Sequence, residues 1–141
     1  MNSPSVTTSH FAIQSPLIER HRKTLEWLSA IALWKRELAF LQKLIDHYGT
    51  KGFEFKYKLD HYQNILLYYR EKLVDSIASQ LQLHERKLAQ LVANQNEKST
   101  DYFLEHVQIM SKVQALGAQI RAYREEIYNL IEQIIDNEAA S

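Results

Sequence analysis

His21, His84 and His106 are the residues of this 141-residue chain whose type and placement come nearest to a chemical site. Three neutral imidazoles reaching in from three helices would bind Zn²⁺ at about 2.0 to 2.1 Å and leave a fourth position open. Glu85 or Glu105, each next to one of these histidines in sequence, would then accept a hydrogen bond from an outer ring nitrogen. The competing reading is a hydrated polar layer near one end of a helical bundle, with the rings bonded locally. Other chemistries lack their residues. His84-Glu85 and Glu105-His106 are adjacent pairs, whereas a diiron bundle needs Glu-x-x-His so that both ligands leave one helix face. The HExxH helix, the GxxxxGK[ST] loop and GxGxxG are absent, and three glycines in all supply no phosphate cradle. Without cysteine there is no thiol catalysis, thiolate ligation or disulfide. A hydrolytic triad needs loops around an oxyanion hole, and this chain has few. The expectation is that the protein is not an enzyme and carries no cofactor, with zinc on the histidines as the alternative.

Bringing the histidines together requires long helices. From Thr24 the inward positions recur at alternating steps of three and four: Thr24, Trp27, Ile31, Trp34, Leu38, Leu41, Ile45, Tyr48. That spacing holds one stripe of a helix against a neighbour. Ser15 before Pro16 predicts the helix start, the hydroxyl capping free N–H groups and Pro taking a position that needs no donor. Gly49 is expected to close the helix as a left-handed cap. A second seam runs Leu59, Tyr62, Leu66, Tyr69, Leu73, Ile77, Leu81, His84, Leu88, Leu91. Its consecutive steps of four from Leu73 to Leu81 predict a stutter at which the supercoil straightens. Residues Phe53 to Lys58 alternate like a strand but have no alternating partner, so they are read as the first turns of this helix. After the polar run from Asn94, Ser99 or Thr100 caps a third helix with the seam His106, Ile109, Val113, Leu116, Ile120, Tyr123, Ile127, Leu130, Ile134. Gly117 within it predicts a close approach by a neighbouring helix, against a Trp ring.

The expected fold is therefore all-α, an elongated, coiled-coil-like antiparallel three-helix bundle with helices at approximately 16–48, 54–94 and 100–137. Residues 1–14, rich in Ser and Thr, are expected to form a flexible N-terminal segment ahead of a bundle domain at 15–138. Counted from the turns, His21, His84 and His106 fall within about 5 to 6 Å of one height.

Composition narrows the partners. Seventeen basic and seventeen acidic side chains cancel, so no net charge draws the chain to nucleic acid or an anionic membrane. The Arg20-His21-Arg22-Lys23 cluster and the Phe53–Lys58 run are read as solvated helix flanks. The N-terminus lacks a basic region followed by an apolar stretch, and no apolar run is long enough to span a bilayer, which predicts a cytoplasmic protein.

The helices carry more apolar surface than three seams consume. Leu33, Phe40 and Leu44 make a second stripe on the first helix, and Ile65 and Tyr68 stand outside the seam of the second. These five are the expected partner-binding residues, serving a homodimer or another protein's amphipathic helix. The layout is similar in outline to helical adaptor, secretion-chaperone and spectrin-type bundles, a generic likeness that names no family. The expected function is protein binding by a non-enzymatic helical interaction or scaffold protein, with a metal- or small-ligand-binding bundle as the alternative.

Overall fold

The computed structural model describes the backbone of residues 3–51, 53–94 and 99–140, with side chains from residue 16 onward. Three rods follow one another, and no strand occurs among the described residues. Helix α1 spans Ser3–Tyr48. The second rod opens with a 3-10 turn, Phe53–Phe55, and continues as α2 (Lys56–Tyr68), a π-helical turn (Tyr69–Val74) and α3 (Asp75–Ala93). Helix α4, Thr100–Ala140, is about 60 Å long at 1.5 Å per residue. No helix is long and apolar enough to cross a membrane among the described residues.

Side-chain pairs fix the directions. Between α1 and the second rod, Gln42 meets Gln63, Lys35 meets Asp75 and His21 meets Glu85, so one number falls as the other rises and the rods are antiparallel. Between α3 and α4, His84 meets His106 and Gln80 meets Lys112, again antiparallel. Between α1 and α4, Trp27 meets His106 and Glu37 meets Arg124, so this pair runs parallel. Most of the buried residues are those of the expected seams. Ile31, Leu38, Leu41 and Ile45 of α1 pack with Leu59, Leu66 and Leu81 of the second rod and with Ile109 to Ile134 of α4 in one continuous cluster. A smaller cluster of Leu17, Leu88 and Tyr102 lies towards the α3–α4 turn.

Helix starts and ends follow local chemistry, with two corrections. Ser99 does cap α4, its hydroxyl accepting from the Tyr102 N–H at 3.3 Å. Pro16, expected at a helix start, lies inside α1, whose backbone begins at Ser3. Proline keeps a helical φ and sacrifices the single hydrogen bond to the carbonyl four residues earlier, so a helix can run through it. The expected flexible segment at 1–14 belongs to the residues whose side chains lie outside the described set. Gly49 is not left-handed. Its N–H still donates to the Ile45 carbonyl at 2.8 Å, and a Cβ added there would stand 2.9 Å from that same oxygen.

The larger correction concerns the stutter. Val74 is fully buried at 0% exposure, while Leu73 is only partly buried. The inward positions therefore run Leu59, Tyr62, Leu66, Tyr69 and then Val74, Ile77, Leu81, His84, Leu88. Steps of three and four hold on both sides of a single step of five. A π turn, closing i to i+5, is the helical geometry that absorbs five residues in one turn, and it occupies this step.

Gly117 meets the expectation: a Cβ there would lie 2.9 Å from Cζ2 of Trp34. Replacing a mid-helix Gly by Ala ordinarily stabilises by about 1 kcal/mol, and overpacking a filled contact costs about 1 to 3 kcal/mol. Gly117→Ala is expected to lower the unfolding free energy by roughly 1 kcal/mol and to shift Trp34 emission. Urea denaturation followed by fluorescence checks both, and a gain in stability would show that the rods have room to part.

Candidate functional site

Between the two apolar clusters the three rods meet in a polar layer. Inward-facing Thr24 on α1 satisfies itself, its hydroxyl donating to the Arg20 carbonyl at 2.9 Å. Inward-facing His84 on α3 has no exposed surface, and His106 on α4 is buried beside it. His84 Nε2 lies 2.9 Å from His106 Nδ1, and His84 Nδ1 lies 2.7 Å from Glu105 Oε1. Lys87 completes the chain by donating to the other Glu105 oxygen. Aromatic rings close the layer from both sides. Tyr102 stacks on His84 with centroids 4.3 Å apart and planes 1° from parallel, and Trp27 covers His106 at 4.8 Å.

The electrostatics follow from this packing. Burial pushes the Glu105 carboxyl up, but hydrogen bonds from Lys87 and His84, together with their charges, outweigh it and hold the group below the usual carboxylate range. With Glu105 ionised, the His84 Nδ1–H donates to it. The His84 Nε2···His106 Nδ1 contact is a hydrogen bond when one of these two facing nitrogens carries a proton and the other does not. Burial is also the main reason His106 resists protonation, with the His84 and Arg20 charges adding to it, and its pKa falls to about 4. Burial raises the Tyr102 phenol to about 12, helped by the Glu85 charge and opposed by Arg20.

Sequence spacing thus placed His84 and His106 in one layer and named Glu105 as a ring partner. The third histidine departs from it. His21 is partly exposed and pairs with Glu85, Nδ1 to Oε2 at 2.6 Å. A tetrahedral zinc holds two ring nitrogens roughly 3.3 Å apart, each with its lone pair aimed at the metal. The 2.9 Å separation of His84 and His106 is instead that of a direct hydrogen bond, and both His84 nitrogens are engaged. Among the described residues no group of three or more His, Cys, Asp or Glu side chains is arranged to hold a metal ion. Tyr102, Trp27 and Lys87 belong to the layer without having been singled out. Tyr102 was legible as the residue one turn before His106, whereas Trp27 and Lys87 depend on how the rods are aligned. Three buried atoms close by, Arg20 Nε, Glu85 Oε1 and Tyr102 OH, have no hydrogen-bond partner among the described residues. Unmet polar groups of this kind cost about 1 to 3 kcal/mol each, which offsets part of what the layer's hydrogen bonds contribute.

The five apolar candidates divide between two flanks. Leu33, Phe40 and Leu44 stand four before, three after and seven after Glu37, hence on the α1 face that meets Arg124 of α4. Ile65 is three residues from both Tyr62 and Tyr68, on the α2 face turned away from Gln63. That face borders a groove of about 360 Å³ between α2 and α4, lined by Tyr57, His61, Tyr62 and Glu126 among others. Leu33 and Phe40 are each 52% exposed and Tyr68 is 55% exposed, while Leu44 and Ile65 are partly buried against the core.

No protein-family model, curated protein or solved structure matches the chain.

The layer has a consequence for pH. His106 has a folded pKa of about 4 against an ordinary 6.5, so the unfolded chain binds more protons between these values. The stabilisation is complete above about pH 6.5 and is lost as pH falls towards 4, by about 3 kcal/mol in all. Urea titrations at pH 7.5, 6, 5 and 4 should show this fall, and His106→Gln should flatten it. An unchanged slope in that variant would remove His106 as its source.

Proposed function

We propose that this chain is a non-enzymatic helical interaction protein. It self-associates or takes up a partner's amphipathic helix through the apolar flanks that its own core leaves uncovered. The observation that carries the reading is the α1–α4 flank. Leu33 and Phe40 stand half exposed on its α1 side, and Tyr128 and Ile135, exposed on its α4 side, continue the row beyond the height of Phe40. Single exposed apolar residues are ordinary on protein surfaces, but a row of them at helical spacing on two adjacent parallel helices is a surface that a further helix fits. The polar layer supports the same conclusion from the other direction. His84 has no exposed surface and both ring nitrogens in use, so it offers no free nitrogen to a substrate. The cysteine-free composition is compatible with the cytoplasm, where we place the protein.

Phe40→Asp and Tyr68→Asp each put a charge on one flank while leaving every fully buried residue in place. At least one should change the sedimenting mass, or the set of proteins recovered by quantitative affinity capture, with a melting temperature within about 3 °C of the parent. A parent chain that sediments as a 16.6 kDa monomer, with captured proteins identical to those of both variants, would overturn the reading.

A further inference from the structure

We infer that the α1–α4 flank receives a second copy of this chain, packed about a twofold axis that runs along the helices, so that α1 of each copy lies over α4 of the other. This rests on the interaction reading above and names its partner.

Charge is arranged unequally around the apolar strip. Glu37 and Arg124 mark the floor of the groove between the two parallel helices. Leu33, Phe40 and Leu44 fall within about 60° of Glu37 around α1, and Tyr128, Ile131 and Ile135 within about 60° of Arg124 around α4, at 100° per residue. About 80 to 120° around each helix from those reference residues, in the direction away from the core, lie the borders of the strip. On α1 the border is Arg36, Lys43 and His47, and on α4 it is Glu125, Glu132 and Asp136. One edge is therefore basic and the other acidic. Lys43, Glu132 and Asp136 make no ion pair among the described residues.

Two face-to-face twofold arrangements exist for such a strip. An axis across the helices stacks α1 on α1 and α4 on α4 in opposite directions, which sets basic edge on basic edge and acidic on acidic. An axis along the helices sets each basic edge on the acidic edge of the other copy. Heights then decide whether charges meet. Trp34 contacts Gly117 and Glu37 meets Arg124, so an α1 residue is level with the α4 residue 83 to 87 positions later. Lys43 thus falls between Glu125 and Glu132 in height, about 2 to 9 Å from either at 1.5 Å per residue, within the combined reach of a lysine and a glutamate side chain. Arg36 is level with Arg121, a like-charge contact, so the attraction sits at the Lys43 end of the strip. An isologous contact of this type closes on itself as a dimer. Charge pairs at its rim select the partner and its direction more than they add affinity.

The chain has no cysteine, so single-cysteine variants report position without background. Lys43→Cys and Glu132→Cys proteins, mixed and treated with a short bis-maleimide, should join to each other, while neither joins to itself. Independently, Lys43→Glu and Glu132→Lys should each weaken dimerisation by roughly tenfold in sedimentation equilibrium, and an equimolar mixture of the two should regain most of the loss. Self-joining of the Lys43→Cys protein would reveal α1 stacked on α1 and overturn the arrangement. So would a parent chain that remains monomeric at 100 micromolar, a concentration roughly a hundredfold above that of a micromolar dimer. A dimer joined differently, or a monomer whose captured partners depend on Phe40, leaves the interaction reading standing. A monomer indifferent to Phe40→Asp removes both.

Discussion

The π turn at Tyr69–Val74 is the constraint on which the rest of the molecule depends. Were the second rod to keep strict heptad spacing, the steps of three and four that seat Leu66 and Tyr69 would go on to seat Leu73, Ser76, Gln80, Leu83 and Lys87. Polar side chains would enter the core, and His84 would face about 100° away from it. One residue accommodated in the wider turn rotates the whole of α3 into phase. Val74, Ile77, Leu81 and Leu88 then reach the core, and His84 meets His106. The apolar cluster and the polar layer are thus products of the same local geometry.

The layer in turn separates two apolar clusters and ties three rods at one height. Glu105 bonds His84, His84 bonds His106, and Tyr102 and Trp27 cover the rings. Sliding α3 past α4 by one turn would strip His84 of both partners while leaving it buried, at a cost of several kcal/mol. An all-leucine seam would tolerate that slip far better. The layer therefore contributes alignment, and the alignment of α1 with α4 that sets Lys43 between Glu125 and Glu132 in height depends on it.

The same parallel alignment makes the α1–α4 flank unlike the others. Gln42–Gln63, Lys35–Asp75 and His21–Glu85 edge the groove between α1 and the second rod, and Lys112–Gln80 and Lys87–Glu105 edge the one between α3 and α4. Across α1 and α4 the ion pair among the described residues is Glu37–Arg124, Arg20 lies over the Phe103 ring nearer the α3–α4 turn, and exposed apolar side chains stand outside Glu37–Arg124. Leu33, Phe40, Tyr128 and Ile135 stand exposed along this flank, to either side of the Glu37–Arg124 pair.

The sequence by itself determined the helices, the residues they bury and the presence of a polar layer. These follow from spacing within one segment, and the 3.6-residue period converts spacing directly into a face. It also determined that something large must approach Gly117, because a mid-helix glycine is otherwise unfavourable. Tertiary structure alone decided three things. It chose Val74 over Leu73, since two adjacent apolar residues satisfy a one-dimensional pattern equally well and only the neighbouring rods select between them. It sent His21 to Glu85 instead of to the other histidines, because a shift of one residue around α1 moves a side chain by about 100°. It also divided Leu33, Phe40 and Leu44 from Ile65 and Tyr68, because periodicity says how far a residue lies from its own helix's seam but not which neighbour stands on that side.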